Sequence, residues 1–291
     1  MAILFNRKKS KTEIGNGKVI SFLNQKGGVG KTTMAFHTAH ALVQQGHKVL
    51  CIDMDPQANL SLLFNVDTSE TDEYNIHHLL INSVRELKQL HVPFMCSEAI
   101  HKEEQVHLIA AGQEISGFEL SVAGISGARP LILKNFIEKN SLKSQYDYII
   151  IDCPPTLGLL VVNILCASDG VLVPFKPDDF SRKGLSHFYS VLDDIDDMGL
   201  TSVPEVLGHI PNLMDSRRSQ DDKDLVKITQ ELEEAFGKAK MLSPFMNRAP
   251  LVKCGASKKS VYDYKGKDFL HLQNQFGEIA KTIENWGTYE A

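Results

Sequence analysis

Apolar residues fall in short runs separated by longer stretches with helical spacing, and this alternation sets the expected architecture. Val19-Ile20-Ser21-Phe22-Leu23 reads as a short buried strand. A glycine-rich turn follows it. Residues 32–45 then show a helical pattern with Ala35, Ala39, Leu42 and Val43 on the apolar face. Gly46 is expected to stop that helix, because glycine tolerates positive φ. Lys48-Val49-Leu50-Cys51-Ile52-Asp53 reads as a second buried strand. Further strands are expected at 106–110, 148–152, 170–174 and 206–210. Helical patterns fall at 129–141, 157–168, 182–198 and 219–237, and 57–104 reads as mostly helical with a polar stretch at 67–75. In the last helix, 268–286, Phe269, Leu272, Phe276, Ile279, Ile283 and Trp286 recur at helical spacing.

Strand, loop, helix, strand is a βαβ unit, and such units build parallel sheets through right-handed crossovers. The expected fold is therefore α/β: one domain over 18–291, with a doubly wound, mostly parallel sheet flanked by helices. Residues 1–17 read as a flexible basic tail carrying Arg7, Lys8, Lys9 and Lys11. A solvated tail, or a weak contact with DNA or acidic lipid, would each suit that composition.

Composition narrows the function. The 291 residues are 43% hydrophobic and 23% charged, as in a globular protein with a sizeable core. A formal net charge of -5 gives no global field for nucleic acid, so DNA binding would need a local basic patch. The five cysteines form no C-x-x-C pair, which suits a reducing cytoplasm, and Cys51, Cys153 and Cys166 sit in apolar runs as expected for small buried hydrophobes. No run approaches the roughly 18 apolar residues of a membrane span. Met1–Phe5 is too short for a signal-peptide core. The expected location is the cytoplasm.

The candidate chemistry begins at Lys26-Gly27-Gly28-Val29-Gly30-Lys31-Thr32-Thr33. Gly27, Gly28 and Gly30 let successive backbone N–H groups turn toward an anion, and the loop ends at a helix N-terminus whose partial positive charge adds to the attraction. Lys31 is placed to reach the β- and γ-phosphates of a nucleotide, the Thr32 hydroxyl to hold Mg²⁺, and Thr33 to help hold the α-phosphate. Gln25 stands where a standard P-loop has its first glycine, so the loop is a variant form. Asp152 ends the apolar run 148–151, at the sheet edge where α/β folds bind ligands. A carboxylate there suits Mg²⁺ through water. Asp53 and Asp55 lie two apart at another strand end, where cations or distinct tasks must separate two such close acids.

Asn24 to Thr33 resembles the deviant Walker A box of the ParA/MinD family of ATPases. Asp53-Met54-Asp55-Pro56-Gln57-Ala58-Asn59 is similar to that family's D-x-D-P-Q-x-N box, and Tyr146 to Pro155 to its Walker B strand. Val106 to Gly112 resembles the strand between them. The D-P-Q form favours the ParA partition branch, and the likeness covers about residues 18–285. It implies that Lys26 crosses a homodimer interface to the partner's phosphates, where a cation supplied in trans neutralises developing charge; a surface lysine capping the loop is the plainer alternative. It further implies that Asp55 orients the attacking water, that Asp53 supports Lys31 and the metal region, and that Asn212 contacts the adenine of ATP or ADP.

For DNA, the resemblance implies a contact at Arg217, within Asp215-Ser216-Arg217-Arg218-Ser219, with Arg218 beside it. The family's later arginine-rich stretch corresponds here to 243–253, where Arg248 matches and the second arginine does not; Lys253, Lys258 and Lys259 would supply the charge instead. A solvated surface loop would read the same way. The implied function is an ATP-dependent partition switch: an ATP-bound dimer on non-specific nucleoid DNA, hydrolysing slowly until a ParB-like partner stimulates it. Positioning of a protein cargo, or a nucleotide-binding adaptor without turnover, are the alternatives. The C-terminal segment 286–291 carries no lysine or arginine, so membrane binding through an amphipathic end is not expected. No helix-turn-helix fits before Lys18.

Overall fold

The computed structural model describes residues 17–67, 74–85, 92–103, 105–237 and 240–288. The basic tail, apart from Gly17, and most of the polar stretch 67–75 lie outside these residues. The expected strands all form: β1 (Lys18–Phe22), β2 (Val49–Asp53), β4 (Val106–Ile109), β5 (Tyr148–Asp152), β6 (Gly170–Phe175) and β7 (Glu205–Pro211). One strand was not expected. Ile100–Glu103 forms β3, an antiparallel partner of β4, inside the stretch read as mostly helical. The helices described there are Asn59–Leu63, Ile76–Ser83 and Val92–Ala99.

The seven strands run in the order β3-β4-β2-β5-β1-β6-β7, and every pairing except β3–β4 is parallel. Both faces are covered, which is why the central strands are apolar without alternation. Alternate residues nevertheless serve opposite layers. Val19, Leu50, Ile52, Ile149 and Ile151 face the layer that includes helices Ile132–Lys139, Leu159–Ala167 and Asp179–Met198. Ile20, Phe22, Val49, Cys51 and Ile150 face the layer that includes helices Lys31–Gln44 and Lys267–Thr288. In the last of these, Leu272, Phe276, Ile279 and Ile283 are buried, as their spacing predicts. All five cysteines are buried.

The parallel registry brings the chemistry to one edge. Asp152 of β5 lies opposite both Phe22 of β1 and Asp53 of β2. The glycine loop leaving β1 therefore meets both acids at the carboxyl ends of adjacent strands, the ligand edge of such sheets. Among the described residues, no helix is long and apolar enough to cross a membrane.

Candidate nucleotide-binding site

The loop between β1 and helix Lys31–Gln44 takes the conformation its glycines permit. Gly28 has φ 73° and Gly30 φ 95°, in the left-handed region. At Gly30 a second constraint applies: a Cβ there would stand 2.3 Å from Asn212 Nδ2. Asn212 is buried at the end of β7, and its Nδ2 donates to the Val29 carbonyl at 2.8 Å. The asparagine expected to touch adenine thus also ties the phosphate loop to the far strand.

Lys31 is buried and donates to the Lys26 carbonyl at 3.3 Å, spanning the loop. Burial holds its pKa below the usual lysine value, and the nearby Asp152 opposes that shift. Asp53 is fully buried and well hydrogen-bonded: Oδ2 accepts from Ser61 N and Oγ, both at 2.8 Å, and Oδ1 accepts from Asp55 N at 3.1 Å. Asp152 differs. Neither of its buried carboxylate oxygens has a well-formed hydrogen bond, although the Thr32 hydroxyl lies near enough to favour the charged form. Burial first, and then the charge of Asp53, push Asp152 well above the usual carboxylate range; burial likewise raises Asp53. An orphaned, desolvated carboxylate next to a hydroxyl, a lysine and an anion-binding turn has the donor set of an oxygen-coordinated divalent cation.

Above these groups opens a cleft of about 740 Å³. Gly27, Gly28, Gly30, Lys31, Thr32, Thr33 and Asp55 line its phosphate end. Asp55 is buried and its Oδ1 accepts from Gln57 N at 3.0 Å. Val29 and Asp53 are buried and do not line the cleft. Asn212 and Leu213 lead to a second end walled by Met246, Asn247 and the helix Ala249–Ser257, with Leu62 and Leu63 also lining the cleft. That helix takes up residues 249–253 of the stretch 243–253 for which a surface loop is the plainer reading, while 243–248 are non-helical. Pro250 fits its first turn, where no backbone N–H is needed.

Lys26 does not line the cleft. It turns outward to an ion pair with Asp178 and lies 5.7 Å from the exposed Phe180 ring. Asp178 also caps the helix Asp179–Met198 by accepting from Ser181 N at 2.9 Å. Burial acts on Asp178 first and raises its pKa, but the bonds from Lys26 and Ser181 outweigh it, leaving a net lowering.

The predicted DNA residues separate. Arg217 and Arg218 lie apart from the cleft, and Arg217 is exposed with both Nε and Nη2 donating to Asp215, at 2.9 and 2.8 Å. Those bonds hold the Asp215 carboxyl down to about 2. Lys253 and Lys259 are exposed, and Lys253 Nζ sits 4.8 Å from the Tyr264 ring. Arg248 and Lys258 line the nucleotide cleft instead. Asp178, Leu62, Met246, Leu251 and Val252 were not singled out from sequence; only Asp178 carried a signal, as an acid just before a helical run.

A glycine turn between a buried parallel strand and a helix, facing acids at neighbouring strand ends, defines a P-loop nucleotide-binding protein. The family model described as "AAA domain" matches residues 17–203. An uncharacterised protein of Methanocaldococcus jannaschii is 32% identical over 270 residues, 92% of this chain and 98% of its own. The chromosome partitioning protein ParA of Myxococcus xanthus is 30% identical over 255 residues, 86% of this chain and 83% of its own. Among solved structures, the cobyrinic acid a,c-diamide synthase of Mycobacterium smegmatis, with bound ATP analog and magnesium, superposes with a TM-score of 0.72. It is 27% identical, and the match covers 93% of this chain and 95% of that one. The chain belongs to the ParA/MinD family of deviant Walker A P-loop ATPases.

Proposed function

We propose that the protein is an ATP-hydrolysing partition or positioning switch of the cytoplasm, working as a nucleotide-dependent homodimer on nucleoid DNA. The observation that carries the reading is Asp152: two buried, unpartnered carboxylate oxygens beside Thr32 and Lys31, at the foot of an anion-binding turn. Thr32 and Asp152 would hold Mg²⁺, which supplies charge neutralisation across the β- and γ-phosphates. The backbone of Gly27–Gly30, with Lys31 and Thr33, would cradle the phosphates, and Asp53 would brace that floor through Ser61. Asp55 would orient the attacking water. Lys26, on leaving Asp178, would reach the partner protomer's phosphates.

The relative named for chromosome partitioning supports a DNA cargo moved through a ParB-like stimulating partner. Lys253, Lys259, Lys265 and Lys267, all exposed within residues 253–267, support a phosphate-backbone contact on a chain of net charge -5. Arg217 and Arg218 would add to it once Asp215 yields. The test is an Asp55→Ala variant with arbitrary duplex DNA, followed by gel shift and size-exclusion chromatography with ATP, ADP or no nucleotide. Trapped dimers that retard DNA only with ATP are expected. A variant as short-lived a dimer as wild type, with retardation indifferent to nucleotide, overturns the switch.

A further inference from the structure

Helix Ala249–Ser257 presents two unlike faces. Leu251, Gly255 and Lys258 follow one another at helical spacing and line the cleft, with Val252 beside them. Lys253 points away, onto the stacked pair Tyr264 and Phe269. Backbone bonds fix where the cleft face sits. Phe245 N donates to the Pro211 carbonyl at 2.8 Å, and Asn247 N to the Met214 carbonyl at 2.8 Å. Arg248 is therefore held alongside the end of β7, next to Asn212 and beyond the phosphate loop.

The cleft also exposes apolar side chains that a folded protein ordinarily covers. Val252 is 67% exposed and Leu62 is 42% exposed, on different elements lining one cleft. Two residues lining the cleft adopt left-handed backbone: Leu213, φ 58°, and Lys258, φ 51°, which ends the helix Ala249–Ser257 as its left-handed cap. Apolar walls with a few converging donors match a nucleoside, whose base is planar and whose ribose and ring nitrogens accept hydrogen bonds.

We propose that Arg248 and Lys258 are nucleotide-binding residues, donating to the nucleoside half of ATP while Leu62, Leu251 and Val252 cover its base. The assignment rests on the reading of the cleft as the ATP site. It moves to the nucleotide Arg248, which family resemblance put on the DNA surface, and Lys258, whose charge was a candidate to replace the family's second arginine there. Lys253 and Lys259 remain on the outside of the same segment.

The test measures binding of a fluorescent, slowly hydrolysed ATP analogue with Mg²⁺ and without DNA. The variants are Arg248→Gln and Lys258→Asn, since asparagine tolerates the left-handed backbone at 258. Lys253→Gln and Lys259→Gln are compared with them. Affinity is expected to fall about tenfold for each of the first pair, the scale of a lost charged hydrogen bond, and to stay at the wild-type level for the second pair. Competition by inorganic tripolyphosphate, which has no nucleoside, is expected to be equal in all four. Wild-type affinity in Arg248→Gln and Lys258→Asn overturns the proposal, as does an equal loss of tripolyphosphate binding. Lys31→Ala serves as the separate control: if it keeps full affinity, the reading of the cleft itself fails.

Discussion

At the carboxyl ends of β1, β2 and β5 the charged groups Lys31, Asp53, Asp55 and Asp152 are all buried, whereas every lysine and arginine between 243 and 267 is exposed. Burial removes freedom. A carboxylate without water must find a cation or stay protonated, so few arrangements are tolerable and a residue's place in the motif fixes its surroundings. An exposed lysine is content in any direction. What it does depends on which way it faces: Arg248 and Lys258 line the cleft, whereas Lys253 turns to the Tyr264 ring.

Beyond the cleft they share, the two regions also meet at a buried histidine. His37, on the helix that follows the phosphate loop, lies within 3.4 Å of Val261 N through Nδ1 and packs against the Phe276 ring. Burial, helped by neighbouring His40, lowers its pKa to about 3. The unfolded chain takes up its proton near pH 6.5 and the folded chain does not. The stability this residue allows is thus present above that value and lost progressively as pH falls. Between pH 7 and pH 4 the loss from His37 is about 3 kcal/mol. Thermal melts at the two pH values, wild type against His37→Gln, are expected to show the acid loss shrinking by about that much. An identical loss in both proteins would sink the assignment.

The next effect sets one lysine against another. Lys31→Ala is expected to lower ATP affinity about 100-fold, since it deletes a desolvated charge from the anion-binding turn, and Lys253→Ala to leave it unchanged in DNA-free solution. Isothermal titration with Mg²⁺ and a slowly hydrolysed analogue reads both; comparable losses would erase the contrast between buried and exposed charge. The smallest effect concerns Lys26, whose partnership with Asp178 is partly solvated, with the two side chains 32% and 27% exposed. Replacing Asp178 by Asn is expected to strengthen the ATP-dependent dimer by only a few-fold, as befits a surface ion pair. Analytical ultracentrifugation would measure it, and a weakened dimer would mean that Asp178 supports the interface instead of restraining Lys26.

Sequence placed the glycine turn and the acids Asp53, Asp55 and Asp152 at neighbouring strand ends because strand, turn and acid follow one another in local order. It concealed β3, since Ile100-His101-Lys102-Glu103 holds one apolar residue and pairs at the sheet's edge. It also concealed helix Ala249–Ser257, where Pro250 and Gly255 mimic loop composition although one starts the helix and the other lies on its cleft face. Asp178 was missed as the partner of Lys26 because sequence order says nothing about a contact between the loop after β1 and the turn after β6. The helix it caps begins three residues ahead of the expected 182, at Asp179, because the capping oxygen satisfies the first-turn amide that apolar spacing ignores.

One contact has mechanical weight beyond its size. Asn212 grips the Val29 carbonyl while filling the space a side chain at Gly30 would need. The turn that cups phosphate is thereby moored to a strand two places across the sheet. A displacement of either end must drag the other, so the outer margin of the molecule can register what happens at its centre without any hinge.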